Sequence, residues 1–89
     1  MGSSPGEVEA TVAAARMFLK AEMEVQGLRN PSFEEHLTAA SDCFSKAARL
    51  QEEAGSPQLA AYLLLELAEA LVRLQRPAEA LPVFQRAAR

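Results

Sequence analysis

The chain has no isoleucine, no tryptophan and only five valines among its 89 residues. Strands draw on β-branched and aromatic residues, and aromatics make up just 6% here, so composition argues against a sheet. A single cysteine, Cys43, excludes a disulfide within the chain and fits a reducing compartment. No excess of basic residues exists: 9 basic against 12 acidic residues leave a net charge of −3, which is no electrostatic footprint for nucleic acid. Long apolar runs are missing too. The longest, Leu59 to Leu65, is far short of the roughly 20 residues a membrane helix needs. No charged segment followed by an apolar one opens the chain, so no signal peptide is expected. Gly6 stands where a myristoylation motif requires Ser or Thr. What fills the apolar half of the composition is 18 alanines and 12 leucines, the leaders of the helix-propensity scale. The expected fold is all-α with closely approaching helices, in one small domain spanning 1–89 whose own core is thin.

Punctuation divides the chain into four helices. Ser4-Pro5-Gly6-Glu7 reads as a capped start, and Val8, Val12, Ala15, Leu19 and Met23 then recur at helical spacing until Gly27, predicting a helix over 5–26. Leu28 to Pro31 is a loop. Ser32 to Glu35 forms a second capping box, and Leu37, Ala40, Phe44, Ala47 and Leu50 or Gln51 predict a helix over 33–54, ended by Gly55. Ser56 as cap and Pro57 at the first position open a third helix over 57–75, with Leu64, Leu67, Ala68, Leu71 and Leu74 inward. Leu63, Leu65 and Val72 make that helix apolar on its other sides as well, as in a helix sandwiched between neighbours. Pro77 starts a fourth helix over 77–89, with Glu79 near its positive end and Ala80, Val83 or Phe84, and Ala87 inward. Pro82 is expected to kink or distort it. Short connections make the helices antiparallel hairpins in series.

Phe44-Ser45-Lys46-Ala47-Ala48-Arg49 returns 40 residues later as Phe84-Gln85-Arg86-Ala87-Ala88-Arg89, and Ala40 and Ala80 share that offset. Such a period marks a stacked array of helical hairpins, in which alanine lets backbones approach and phenylalanine fills the wedge between hairpins. The pattern Leu64, Leu67, Ala68, Leu71, then Ala80, Phe84, Ala87 resembles the tetratricopeptide repeat, which implies a right-handed array. Helix 1 and the Gly27–Pro31 loop depart from that consensus, and the longer period resembles the repeats of soluble NSF attachment (SNAP) proteins. Gly6-Glu7 with Ala14 to Leu19, Leu65 to Leu71, Arg76 to Ala80 and Phe84 to Ala88 together resemble the family of the 40-kDa huntingtin-associated protein, also called factor VIII intron 22 protein. Val25 to His36 departs from it. The resemblance implies an internal segment of a longer cytoplasmic protein, with which an end in mid-repeat at Arg89 agrees. It further implies huntingtin as partner, a link to early endosomes through a Rab GTPase, and presence in the nucleus. The function expected is a protein-binding scaffold; a SNAP-like membrane-fusion adaptor and a purely structural repeat segment are the alternatives.

Chemistry has little to work with. Cys43 and His36 are seven residues apart on one helix, roughly 10 Å, too far for a nucleophile–base pair. One His, one Cys and scattered carboxylates supply no metal set and no cofactor site. The chain is therefore not expected to be an enzyme. Asp42–Lys46 and Glu69–Arg73 have the i, i+4 spacing of helix ion pairs, each worth about 0.3–0.5 kcal/mol, or of a plain solvated face. If the first helices of successive hairpins line a concave surface, the lining residues are Tyr62, Leu65, Glu69, Val72 and Arg73. The alternative for Leu65 and Val72 is packing on a further helix. The sole asparagine, Asn30, falls in a loop, so a clamp for a terminal carboxylate is not expected. An apolar edge at Leu81, Val83 and Phe84 is expected to give weak self-association.

Overall fold

The computed structural model describes residues 5–24 and 31–88, which form four α-helices with no strand among them. They are α1 (Pro5–Glu24), α2 (Phe33–Glu53), α3 (Pro57–Arg73) and α4 (Pro77–Ala87). The expected cap at Ser4, the end of the first helix at Gln26 and Gly27, the loop from Leu28 to Asn30 and Arg89 lie outside the described residues, as do the side chains of Glu7 and Val8.

Two helices end sooner than their apolar pattern suggests. α2 stops at Glu53, with Ala54 as its cap, and α3 stops at Arg73 rather than Gln75. The cause is a left-handed residue in each turn, Gly55 at φ 84° and Gln75 at φ 65°. Gly55 N–H donates to the Glu52 carbonyl at 3.1 Å and Ser56 N–H to that of Gln51 at 2.8 Å. Gln75 N–H and Arg76 N–H repeat this on Val72 and Leu71, at 3.0 and 2.8 Å. Both are Schellman closures, which satisfy the last free carbonyls of a helix. Ser56 (φ −119°, ψ 65°) and Arg76 (φ −121°, ψ 56°) then share one backbone shape and each precedes a helix-starting proline. One turn has been used twice. The serines do not cap as expected. Neither Ser32 nor Ser56 makes a side-chain capping bond, because at ψ 12° and 65° their backbones lie outside the extended region that aims a hydroxyl at the first free amides.

α2 is the inner helix. Phe33, Leu37, Ala40, Phe44 and Ala47 are buried in one cluster with Val12, Ala15 and Leu19 of α1 and with Leu67 and Leu71 of α3. Ala48 packs with Ala60 and Leu64. Hairpin directions follow from which ends meet. Phe18, late in α1, touches Phe33 and His36 at the start of α2, with ring centroids 6.5 and 5.5 Å apart. Ala48, late in α2, meets Ala60, early in α3. Leu64 of α3 shares its cluster with Val83 and Ala87 of α4. Each pair is antiparallel, so α1 and α3 run parallel, side by side. The Cα framework, 41 × 26 × 17 Å, is two helix layers thick.

The inward residues expected from spacing are buried at Val12, Ala15, Leu19, Leu37, Ala40, Phe44, Ala47, Leu64, Leu67, Ala68, Leu71, Leu74 and Ala80. Leu63 is a correction: it is half-buried against the core rather than outward. Leu65 and Val72 do look outward, 36% and 48% exposed. At the far edge Leu81 is 58% exposed, but Val83 and Phe84 lean onto the core, so that edge is narrower than expected. α4 continues through Pro82, so the proline does not end the helix. The bond Pro82 cannot make would go to Ala78 in the first turn, and both residues are exposed, so the freed carbonyl lies at the surface rather than in the core.

The two turns make a paired prediction. Nothing lies within 4 Å of a Cβ added at Gly55, so Gly55→Ala should cost only its left-handed backbone, about 1 kcal/mol. Gln75→Gly should stabilise by somewhat less, about 0.5–1 kcal/mol, by the same reasoning reversed. Urea unfolding of both variants checks the opposite signs.

Candidate interaction groove

On α3 the row Tyr62, Leu65, Glu69, Arg73 advances by three or four residues a step and so forms one stripe. The neighbouring row Leu64, Leu67, Leu71, Leu74 is buried, which leaves the first row at the edge of the helix facing α1. On α1, Arg16, Leu19, Lys20 and Met23 form the matching stripe. Between the two stripes lies a groove of about 610 Å³. Leu19, Met23, Leu65 and Ala70 give it apolar walls and floor; Arg16, Lys20, Tyr62, Glu66, Glu69 and Arg73 line it with polar groups. Thus four of the five expected residues, Tyr62, Leu65, Glu69 and Arg73, are brought together, while Val72 is exposed outside the lining.

One end of the groove is tied. The Arg16 guanidinium donates from Nε to Glu66 Oε2 at 2.5 Å and from Nη2 to Oε1 at 2.8 Å, joining α1 to α3. This hydrogen bonding, and the Glu66 charge behind it, hold the Arg16 guanidinium above its ordinary range despite slight burial, so it stays charged. Both side chains are about half in water, 51% and 40% exposed, which limits the pair to surface strength. The expected pairs Glu69–Arg73 and Asp42–Lys46 are not among the ion pairs of the described residues. A few tenths of a kcal/mol does not hold two exposed side chains in one geometry against solvation and rotamer entropy. Lys20, Glu69 and Arg73 therefore present unneutralised charge along the groove.

Arg76 is not singled out by spacing, yet it ties three elements. Its guanidinium pairs with Glu34 at the start of α2 and with Glu79 of α4 at 3.2 Å, and lies 5.4 Å from the centre of the Phe33 ring. The only sequence sign is its place before Pro77. Cys43 is half-buried against the core and His36 is exposed, set edge-on to Phe18. Among the described residues no group of three His, Cys, Asp or Glu is placed to hold a metal ion, and no helix is long and apolar enough to cross a membrane.

No protein-family profile matches the chain, and no solved structure matches it. Two curated proteins do. The chain is 46% identical over 86 residues to the 40-kDa huntingtin-associated protein of rat, and equally to that of mouse, which covers 94% of this chain. It spans 23% of the length of those relatives.

The Arg16–Glu66 tie is testable by a double-mutant cycle with Arg16→Ala and Glu66→Ala. We expect a coupling of about 0.2–1 kcal/mol at low salt. It should shrink toward zero in about 1 M salt, where the screening length is about 3 Å.

Proposed function

Because the chain is related, over nearly all of its length, to a segment of the 40-kDa huntingtin-associated protein, we propose that it is a protein-binding scaffold whose partner is huntingtin and whose contact surface is the α1–α3 groove. The observation that carries the reading is the groove itself: apolar in its walls, charged along its rim, and built from two parallel helices held on a common base. Such a mixture of apolar and charged side chains suits a protein surface. The reading is non-enzymatic. It takes the hairpins to stack as a right-handed tetratricopeptide-like array, with weak self-association through the exposed edge at Leu81. The finer part, a cytoplasmic adaptor at early endosomes reached through a Rab GTPase and also present in the nucleus, rests on the family resemblance alone. As the chain spans 23% of its relatives, the partner of the whole protein is carried to it here as a proposal.

The test is capture of full-length huntingtin by this chain and by its Tyr62→Ala/Glu69→Ala/Arg73→Ala variant. All three side chains are exposed, so the melting temperature should hold within a few degrees. Capture by the parent sequence and loss of most capture by the variant is the expected result. Equal capture by both removes the groove from the reading. Absence of capture by either leaves a structural repeat segment or a SNAP-like adaptor.

A further inference from the structure

The shape and chemistry of the groove point to the kind of segment it takes, an inference that rests on the groove being the contact surface. We propose that it receives about two turns of an amphipathic α-helix from the partner, with apolar side chains on Leu19, Met23 and Leu65 and a carboxylate at the end marked by Lys20 and Arg73.

Length is the first argument. From the Arg16–Glu66 tie, the two-walled part of the groove runs along α3 from Glu66 to Arg73, which at 1.5 Å per residue is roughly 10 Å, or two helical turns. The rim side chains Tyr62, Glu69 and Arg73 are exposed, so the groove is open on one side and seats one face of a helix while the other stays in water.

Backbone chemistry is the second. An extended segment brings free N–H and C=O groups that need partners when water is excluded. The groove walls are helices, whose backbone groups are bonded within themselves, and no asparagine or glutamine lines it. A helix arrives with its backbone bonds already made and needs only side-chain anchors at i, i+3 or i+4, and i+7.

Charge is the third. Arg16 is matched by Glu66. Of the other lining charges, Lys20 and Arg73 are cationic and Glu69 is anionic, an excess of one positive charge. Since Arg16 on α1 faces Glu66 on α3, the parallel register puts Lys20 near Ala70 and Arg73 one turn beyond. Both cations therefore stand toward the end away from the Arg16–Glu66 tie. A carboxylate on the incoming helix complements them.

The probe is full-length huntingtin cut into overlapping 20-residue synthetic peptides, tested against this chain by fluorescence anisotropy. The peptides that bind should carry apolar residues at helical spacing with an Asp or Glu beside them. A proline placed in the middle of such a peptide should lower affinity at least about tenfold, since it breaks the helix. The Lys20→Glu/Arg73→Glu variant should lose about tenfold for the same peptides and regain affinity when the peptide carboxylate is changed to Lys. Both positions are exposed, and circular dichroism verifies the fold; Lys20→Ala/Arg73→Ala is the milder second variant. Binding that tolerates proline or is indifferent to charge reversal, while Leu65→Arg abolishes it, overturns the helix and leaves the groove standing. The helix is equally overturned if no peptide binds although the whole protein is captured through the groove. Binding untouched by Leu65→Arg removes the groove itself.

Discussion

Phe44 is wholly shut off from solvent because α2 lies between α1 and α3 and offers both of them small residues to close on. Ala40, Ala47 and Ala48 are 4%, 2% and 0% exposed, and their small side chains leave room for the neighbouring helices to close around the one large ring. Interiors pack at the density of organic crystals, so a side chain larger than alanine at these buried positions would have to push a helix away. Truncating a fully buried phenylalanine costs about 3–5 kcal/mol, a large part of what a domain this small has. The groove is a by-product of this fit. α1 and α3 are both seated on α2, and what they leave open between them is the surface available to a partner.

A second constraint works through the turns. The α2–α3 and α3–α4 connections each spend one left-handed residue and one proline around a residue of the same backbone shape, Ser56 or Arg76, so each following helix starts in the same direction relative to the one before it. The 40-residue recurrence of Phe44 in Phe84 is the side-chain counterpart. The two are not equally enclosed: Phe44 is covered by α1 and α3, whereas Phe84 is half-buried. Arg76 stitches the seam by pairing with Glu34 and Glu79 and lying near Phe33, so the ends of α2, α3 and α4 are joined by one side chain.

The helices are legible in the sequence because their signals are local. Prolines at 5, 57 and 77 mark starts, and leucine and alanine at helical spacing mark the inner faces. The end of α3 is not, since a glutamine in the left-handed region has no compositional signature and Leu74 continues the buried row beyond the last helical residue. The serines mislead because the residue type names a capping side chain and not the backbone angle that aims it. Pro82 does not end α4, because it lies in the exposed early part of the helix, where the carbonyl it frees is at the surface. The α3 side of the groove can be read from a single helix face. Its α1 side cannot, because which helix stands beside α3 is settled by the packing of α2, and nothing in Arg16, Leu19, Lys20 or Met23 alone announces it. Arg76 is of the same kind, a residue whose partners are 42 residues upstream and three downstream.

Structure and proposed function meet in one claim: a middle helix holds two others parallel, and on the proposed reading the channel between them is what a partner touches. Site-specific photocrosslinking reads that contact directly. A photoreactive side chain at Leu65, on the groove wall, is compared with one at Gln85, exposed on the opposite layer, each mixed with full-length huntingtin. The account predicts a covalent adduct from position 65 and little or none from position 85. Equal adducts from both, or an adduct from position 85 alone, would contradict it.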